Sequence, residues 1–319
     1  MPYEYYTDVT YDNSIKSLSI ELNAYNVVAY DRLSDFFSVI TNNVINISNG
    51  TLVNFNKEFS YKCESTIKNI EENILNSKNI YTDETSTKYN NKKMYARNYS
   101  TNSTVLYKVN LKKGHEPIKE DNILPLYCGG IMADHDTTIY SYGTKRYECN
   151  IHLGRYLEEL IQNIDNISWD KEMKKFIFKL NKKRKELIKQ KIFWFKNEEL
   201  IEYEKNYDEI VNKAKIENQN IKSTFYKEKA EALYRRLKKY KTNHLYFIKD
   251  FEVPFDNNLS ERDLRVYKIK TKISGCFRSI EGANNYANIL SIIKTSIKRG
   301  INPYETIIKI FIGETLFAN

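Results

Sequence analysis

The chain has 319 residues, 50 of them Lys or Arg against 41 Asp or Glu, for a formal net charge of +9. A chain of this length can form about two or three compact units, each with its own core, and its basic balance favours polyanionic partners, either nucleic acid or an anionic membrane face. No run reaches the roughly 18 apolar residues of a membrane span, the opening Met1–Asp8 lacks a cationic stretch followed by an apolar one, and the four scattered cysteines exclude a disulfide framework. A soluble, cytoplasmic protein in a reducing compartment is expected.

Apolar residues first recur at helical spacing in Ile15, Leu18 and Leu22, and again in Leu33, Phe36, Phe37 and Ile40, which predicts short packed helices. Ser48-Asn49-Gly50 offers a cap and turn before a longer helix from Thr51 to about Leu75, with Phe55, Phe59, Cys63 and Ile67 on one face. Helix, tight turn and helix admit a DNA-reading helix-turn-helix, although such pairs are more often plain packing units. Between 79 and 150 the texture changes to short β-rich segments: Ile80–Thr82, Lys93–Tyr99, Thr104–Val109, Gly130–Ala133 and Arg146–Ile151. There is room for one short helix around Pro117–Ile123, and a mixed α/β sheet is the natural reading. From Leu153 to about Lys249 the pattern is almost wholly helical, with apolar stripes such as Met173, Phe176, Ile177 and Leu180. The run Lys182-Lys183-Arg184-Lys185 inside it reads as a solvated helix face, with DNA contact the alternative. After Phe255 come a helix, a basic segment and two helices near Asn285–Lys298 and Pro303–Phe311, with Gly300 at the break between them.

Three acids stand at element ends: Asp83 closes Ile80–Thr82, Asp134 closes Gly130–Ala133, and Glu261 opens a late helix. An Asp at the end of a buried strand can project into a cleft at the carboxyl edge of the sheet. Converging carboxylates would form a hard oxygen site suited to magnesium, and an ion pair roughly 3.5–4 Å apart serves phosphodiester chemistry. Taken singly, each of these acids is more often a helix cap or a solvated carboxylate than a catalytic group.

The residues around them resemble one known family. Val253-Pro-Phe-Asp-Asn-Asn-Leu-Ser-Glu-Arg-Asp-Leu-Arg265 looks like the Asn-Asn-x-x-Glu-Arg signature of insertion-sequence family 66 transposases, and Lys270–Ser279 and Ser291–Thr295 are similar to family segments. Tyr81-Thr-Asp-Glu-Thr85 resembles the motif at that family's first Asp, and Gly130-Ile-Met-Ala-Asp-His-Asp136 with Tyr140 the motif at the second. The resemblance implies a DDE transposase with a ribonuclease-H-like core, Asp83, Asp134 and Glu261 as catalytic metal ligands, and two Mg2+ ions for which Mn2+ can substitute. It implies DNA as partner, both element ends and target, and a homo-oligomer on paired ends. The interval from Asp134 to Glu261 is more than double that from Asp83 to Asp134, in keeping with an inserted helical domain. The expected organisation is an N-terminal helical region (1–78), the first part of a ribonuclease-H-like mixed sheet core (79–152), an α-helical insertion (153–252) and completion of the core with C-terminal helices (253–319).

Cys149-Asn-Ile-His152 could be half of a zinc site completed by Cys128 and His135, but the intervals are irregular for a structural zinc module. The pair also resembles the Cys-x-x-His that several transposase families carry after the second Asp, which assigns His152 to the catalytic neighbourhood and Arg155 beside it to DNA. Arg262, Arg265, Lys268, Lys270, Lys272 and Arg278 follow Glu261 closely, and cations there would contact phosphates without reading sequence. The sequence departs from the family pattern at Ser86, Arg146, Gly154 and Tyr156, none of them a predicted ligand. The family's cysteine-rich zinc-binding stretch does not precede Met1. The alternative expectation is therefore a truncated, non-catalytic DNA-binding remnant.

Overall fold

The structure, a computed structural model, describes residues 10–318; the opening Met1–Asp8 lies outside them. In chain order the elements are helices α1 (Asn13–Ala24), α2 (Tyr30–Ile40), α3 (Asn49–Lys62) and α4 (Glu64–Leu75), then strands β1 (Asn79–Tyr89), β2 (Lys92–Ser100) and β3 (Val105–Asn110). Helix α5 (His115–Asp121), strands β4 (Gly130–Ala133) and β5 (Lys145–Glu148) and helices α6 (Asn150–Asn163), α7 (Trp169–Lys189) and α8 (Asn197–Glu217) follow. The chain ends with α9 (Thr224–Lys239), α10 (Lys241–Lys249), α11 (Asn258–Ser274), α12 (Ile280–Lys298) and α13 (Pro303–Phe311). It divides into two compact units, one of Met1–Gly129 with Asn258–Asn319 and the other of Gly130–Asn257. The class is α/β with both antiparallel and parallel strand pairs, as the sequence indicates.

In the first unit, polar side chains start the helices where the sequence offers them. Asp12 accepts from the Ser14 N–H at the start of α1, Ser48 from Thr51 at α3, and Asn302 from Tyr304 ahead of Pro303 at α13. Leu33, Phe37, Ile47, Leu52 and Phe55 pack α2 on α3, with Ile15, Leu18 and Leu22 of α1 against them. The link from Thr41 to Ser48 is too long for the tight turn of a helix-turn-helix, so this pair is a packing unit. The predicted long helix breaks at Cys63, whose ψ of 3° leaves helical geometry, yet Phe55, Phe59, Cys63 and Ile67 stay buried on either side of the break.

β1 runs on to Tyr89, so Asp83 lies within the strand instead of closing it. The cause is pairing: every residue from Tyr81 to Tyr89 has an antiparallel partner on β2, which holds a polar segment extended without an apolar pattern. Asn90 and Asn91, both at positive φ (43° and 61°), make the two-residue turn of this hairpin. Among the described residues β3 pairs with β2 alone, and helix α12 covers its other side. The Tyr107 N–H donates to the Ser291 hydroxyl at 2.9 Å, and the Val105 N–H donates to that of Thr295 at 3.1 Å. The Thr295 hydroxyl in turn donates to the Val105 carbonyl at 3.2 Å.

In the second unit, β4 and β5 run parallel with Ala133 opposite Glu148, and all four residues of β4 are buried, as parallel strands require. α6 begins directly after β5, so Ile151 is helical and not the end of a strand. A side chain on Gly154 would meet the Phe178 ring at 2.8 Å, so α6 and α7 close on each other only because this position is bare. Within the basic run, Lys182 and Lys185 are exposed but Arg184 is buried, donating to the carbonyls of Phe251 and Val253. That side chain belongs to the fold and not to a solvated face.

Thr295→Val should strand the buried Val105 N–H and cost about 1–3 kcal/mol, with Ser291→Ala costing a similar amount at Tyr107. Urea midpoints of the two variants measure this, and unchanged midpoints would mean that the helix cover contributes nothing.

Candidate active site

Asp83 and Glu261 belong to the first unit. Asp83 sits on β1 opposite Asn98 of β2, and directly paired residues of an antiparallel ladder put their side chains on the same face. Asn98 is fully buried. Its carbonyl oxygen accepts from the Asp83 N–H at 3.1 Å and from the Ser260 hydroxyl at 2.7 Å. Its amide donates to the Ser260 carbonyl at 3.1 Å and the Ser100 hydroxyl at 3.0 Å. The residue preceding Glu261 is thereby tied to the strand that carries Asp83. Further along the same face, the hydroxyls of Thr87 and Thr271 meet at 2.9 Å and hold α11 along β1. Both acids are half-buried.

The neighbouring Glu84 points the other way and is consumed structurally. Arg97 binds its carboxylate at 2.9 Å, and Lys113 binds it at the same distance. Asp263, two residues beyond Glu261, is likewise engaged, by Lys298 at 2.7 Å and Lys294 at 3.4 Å.

Asp134 belongs to the second unit, directly after β4, and is half-buried. Its Oδ1 accepts from the His135 N–H at 2.8 Å. His152 Nε2 lies 3.5 Å from its Oδ2, and Arg236 of α9 approaches Oδ1 at 4.0 Å. Arg236 is anchored by Glu148 at 2.6 Å, and both side chains are buried, 8% and 3% exposed. His135 Nδ1 meets the other Glu148 oxygen at 2.9 Å. Burial alone would raise the Glu148 carboxyl, but the His135 hydrogen bond and the Arg236 charge outweigh it and hold the group below its ordinary value. Tyr140 and Tyr240 stack at 4.4 Å and enclose the His135 ring edge-on.

Arg155 reaches His152 Nε2 at 3.1 Å. The His152 ring thus lies against both Asp134 and Arg155, and Arg155 is exposed but linked to this ring. Cys149 is buried, accepts the Asn257 N–H at 3.3 Å, and has its thiol pushed up to about 11 by burial. His135, the residue that the zinc reading would add to Cys149 and His152, is hydrogen-bonded to Glu148.

The cations after Glu261 separate into two groups. Arg262, Arg265, Lys268, Lys272 and Arg278 are exposed. Glu261, Arg265, Lys268 and Lys272 follow one another at helical spacing, which places them along one stripe of α11. Lys270 faces inward, 9% exposed, with its amine 3.4 Å from the Asn23 carbonyl and near the rings of Tyr30 and Tyr286. Burial pulls its pKa down to about 8.

Sequence reasoning missed Asn98, Glu148 and Arg236. Glu148 had a legible signal, a carboxylate on a β-rich segment one residue before Cys149-x-x-His152. Arg236 had none, since Arg235-Arg236 sits in a helix dense with Lys and Glu. Behind these residues lies His244, fully buried, with Nδ1 3.0 Å from the Asn150 side-chain oxygen.

Burial drops His244 from 6.5 to about 3. The unfolded chain therefore takes up this proton first, and stability is lost as pH falls below 6.5 toward about 3. The loss between pH 7 and pH 5 should be about 2 kcal/mol. Urea midpoints at the two pH values should show it in the native chain and lose it in His244→Gln.

No helix among the described residues is long and apolar enough to cross a membrane. The family model described as "Transposase IS66 family" matches residues 9–285. No curated protein matches the chain.

Proposed function

The chain belongs to the IS66 family of transposases, and from that membership we propose that it cuts and rejoins DNA strands with Asp83, Asp134 and Glu261 as the carboxylates that bind divalent metal ions. The observation that carries this reading is the Asn98 bridge. It fixes the Asp83 backbone and the first turn of α11 to one another, while nearby Glu84 and Asp263 are tied up in ion pairs. Buried hydrogen bonds joining the Asp83 backbone to the residue before Glu261 support a reading in which the two acids act together.

The donor set of two Asp and one Glu is all hard oxygen, half-buried and so open to water, which fits Mg2+ or Mn2+ better than a soft ion. Bound ions, two in this reading, would supply charge stabilisation at the phosphate and a more acidic water. The chain's own residues do the rest. Glu148 and Arg236 hold the backbone and side chain around Asp134, and the stripe Arg265, Lys268 and Lys272, with Arg262 and Arg278, lies along the DNA backbone. In cleavage a water oxygen bonds to phosphorus as the 3′ oxygen leaves as a hydroxyl. In joining, that 3′-hydroxyl attacks a target phosphodiester, one P–O bond forming as another breaks. No covalent bond to the protein forms. His152 and Arg155 act together as a positioning pair beside Asp134, and paired element ends call for more than one copy of the chain.

Asp83→Asn, Asp134→Asn and Glu261→Gln should each lower strand cleavage at least about a hundredfold, since the metal contribution amounts to several kcal/mol, while DNA affinity stays within a few-fold. Full cleavage in any of them removes that residue from the site. Charge reversal at Arg265 or Lys272 should weaken binding to all sequences alike and reduce the salt dependence by about one phosphate contact each. A filter-binding titration across salt concentrations measures both, and an unchanged salt slope would mean that the stripe does not touch DNA.

A further inference from the structure

We propose that the first unit carries a pocket for a single unpaired nucleobase, opening beside the carboxyl end of α11, where the cationic stripe ends. This rests on the DNA-binding reading above and extends it to a site that the three carboxylates do not use. The cavity measures about 500 Å³ and is lined by Tyr30, Lys270, Phe277, Arg278, Asn285 and Tyr286. That volume falls in the range of about 300–1,000 Å³ typical of small-ligand sites.

Its chemistry matches a base better than a free anion. The lining is mainly apolar, with the exposed Val53 and Ile273 also part of it, and aromatic faces accept any base by stacking. Polar groups in the wall include the Lys270 amine, the Arg278 guanidinium and the Asn285 side chain, with the Asp31 carboxylate engaged by the Asn49 amide. Among the described residues Asn285 has no side-chain hydrogen bond and Lys270 no carboxylate partner; its amine has long contacts, 3.4 and 3.5 Å, to Asn23 and lies 5.7 and 5.5 Å from the ring centres of Tyr30 and Tyr286. Burying a cation with so little compensation is costly, and a base edge supplies the acceptors that this amine lacks. A base extruded from a duplex is read in this manner, by stacking and by hydrogen bonds to its edge. Lys272 and Arg278 are exposed next to pocket-lining residues, so a strand lying on the stripe has phosphate contacts close to the pocket mouth.

The test compares the full-length chain on two duplexes, one fully paired and one with a single unpaired 2-aminopurine. The unpaired duplex should bind at least about tenfold tighter, the scale of one base stacked on an aromatic side chain, and its 2-aminopurine should be shielded from acrylamide. Lys270→Met removes the amine and keeps the stem, and Val53→Trp fills the cavity from its exposed rim. Each should abolish the preference while leaving affinity for paired DNA within about twofold. Equal binding of both duplexes by the native chain overturns the pocket and leaves the DNA-binding reading standing. A preference that survives Val53→Trp overturns it too, as does adenosine monophosphate displacing the unpaired base at equal concentration, which would mark a free-nucleotide site. Failure to bind either duplex overturns the DNA-binding reading itself.

Discussion

Asn98 is sealed from solvent, and both lone pairs of its oxygen and both protons of its amide are engaged, with Asp83, Ser100 and twice with Ser260. An amide has four such sites in all, so this one is fully satisfied. A buried network pays back its desolvation only when complete, and when complete it admits one arrangement. Here that arrangement sets how α11 lies on β1 and β2, and so where Glu261 stands in relation to the Asp83 strand. The Thr87–Thr271 contact repeats the same constraint further along the strand. The Tyr107 hydroxyl on the Asp263 carbonyl, at 2.7 Å, adds a tie between β3 and α11 in the same unit.

The second unit handles charge differently. Glu148 and Arg236 are buried together, and a buried ion pair of this kind adds little net stability, because both ions must leave water. Its value lies in direction. With one Glu148 oxygen on Arg236 and the other on His135, the carboxylate cannot rotate, and the guanidinium is held near Asp134 without closing on it. The 2.6 Å and 4.0 Å distances make the difference plain: Arg236 is bonded to Glu148 and only adjacent to Asp134. Asp134 therefore keeps a fixed cationic neighbour while its carboxylate stays half open to solvent.

Strands and helices were legible in the sequence wherever apolar residues carried the period. The boundaries of β4 match its apolar run Gly130–Ala133, and α13 matches Pro303–Phe311. The second half of β1 was not legible, because residues 83–88 are polar and owe their conformation to the facing strand β2 and to the Asn90-Asn91 turn. The cap at Ser48 was readable because it acts within a few residues, whereas Arg184 and Lys270 looked like surface charge and proved to be buried. The three acids could be named from the motifs around them. Of the groups around them only Glu148 had a signal, beside the Cys-x-x-His pair; Asn98 and Ser260 are far apart in sequence, Arg236 is far from Glu148, and all three are ordinary in composition.

The cover that Ser291 and Thr295 give to β3 also limits how copies of this chain can associate. A bare terminal strand invites a neighbour to add its own strand, which is a common route to both dimers and aggregates. Here the outward amides of Val105 and Tyr107 are already bonded to a helix of the same chain. Strand-to-strand association through β3 would first have to strip α12 away. Any association of copies through the sheet would therefore have to use some other part of it, with the β3 margin occupied by a helix of the same chain.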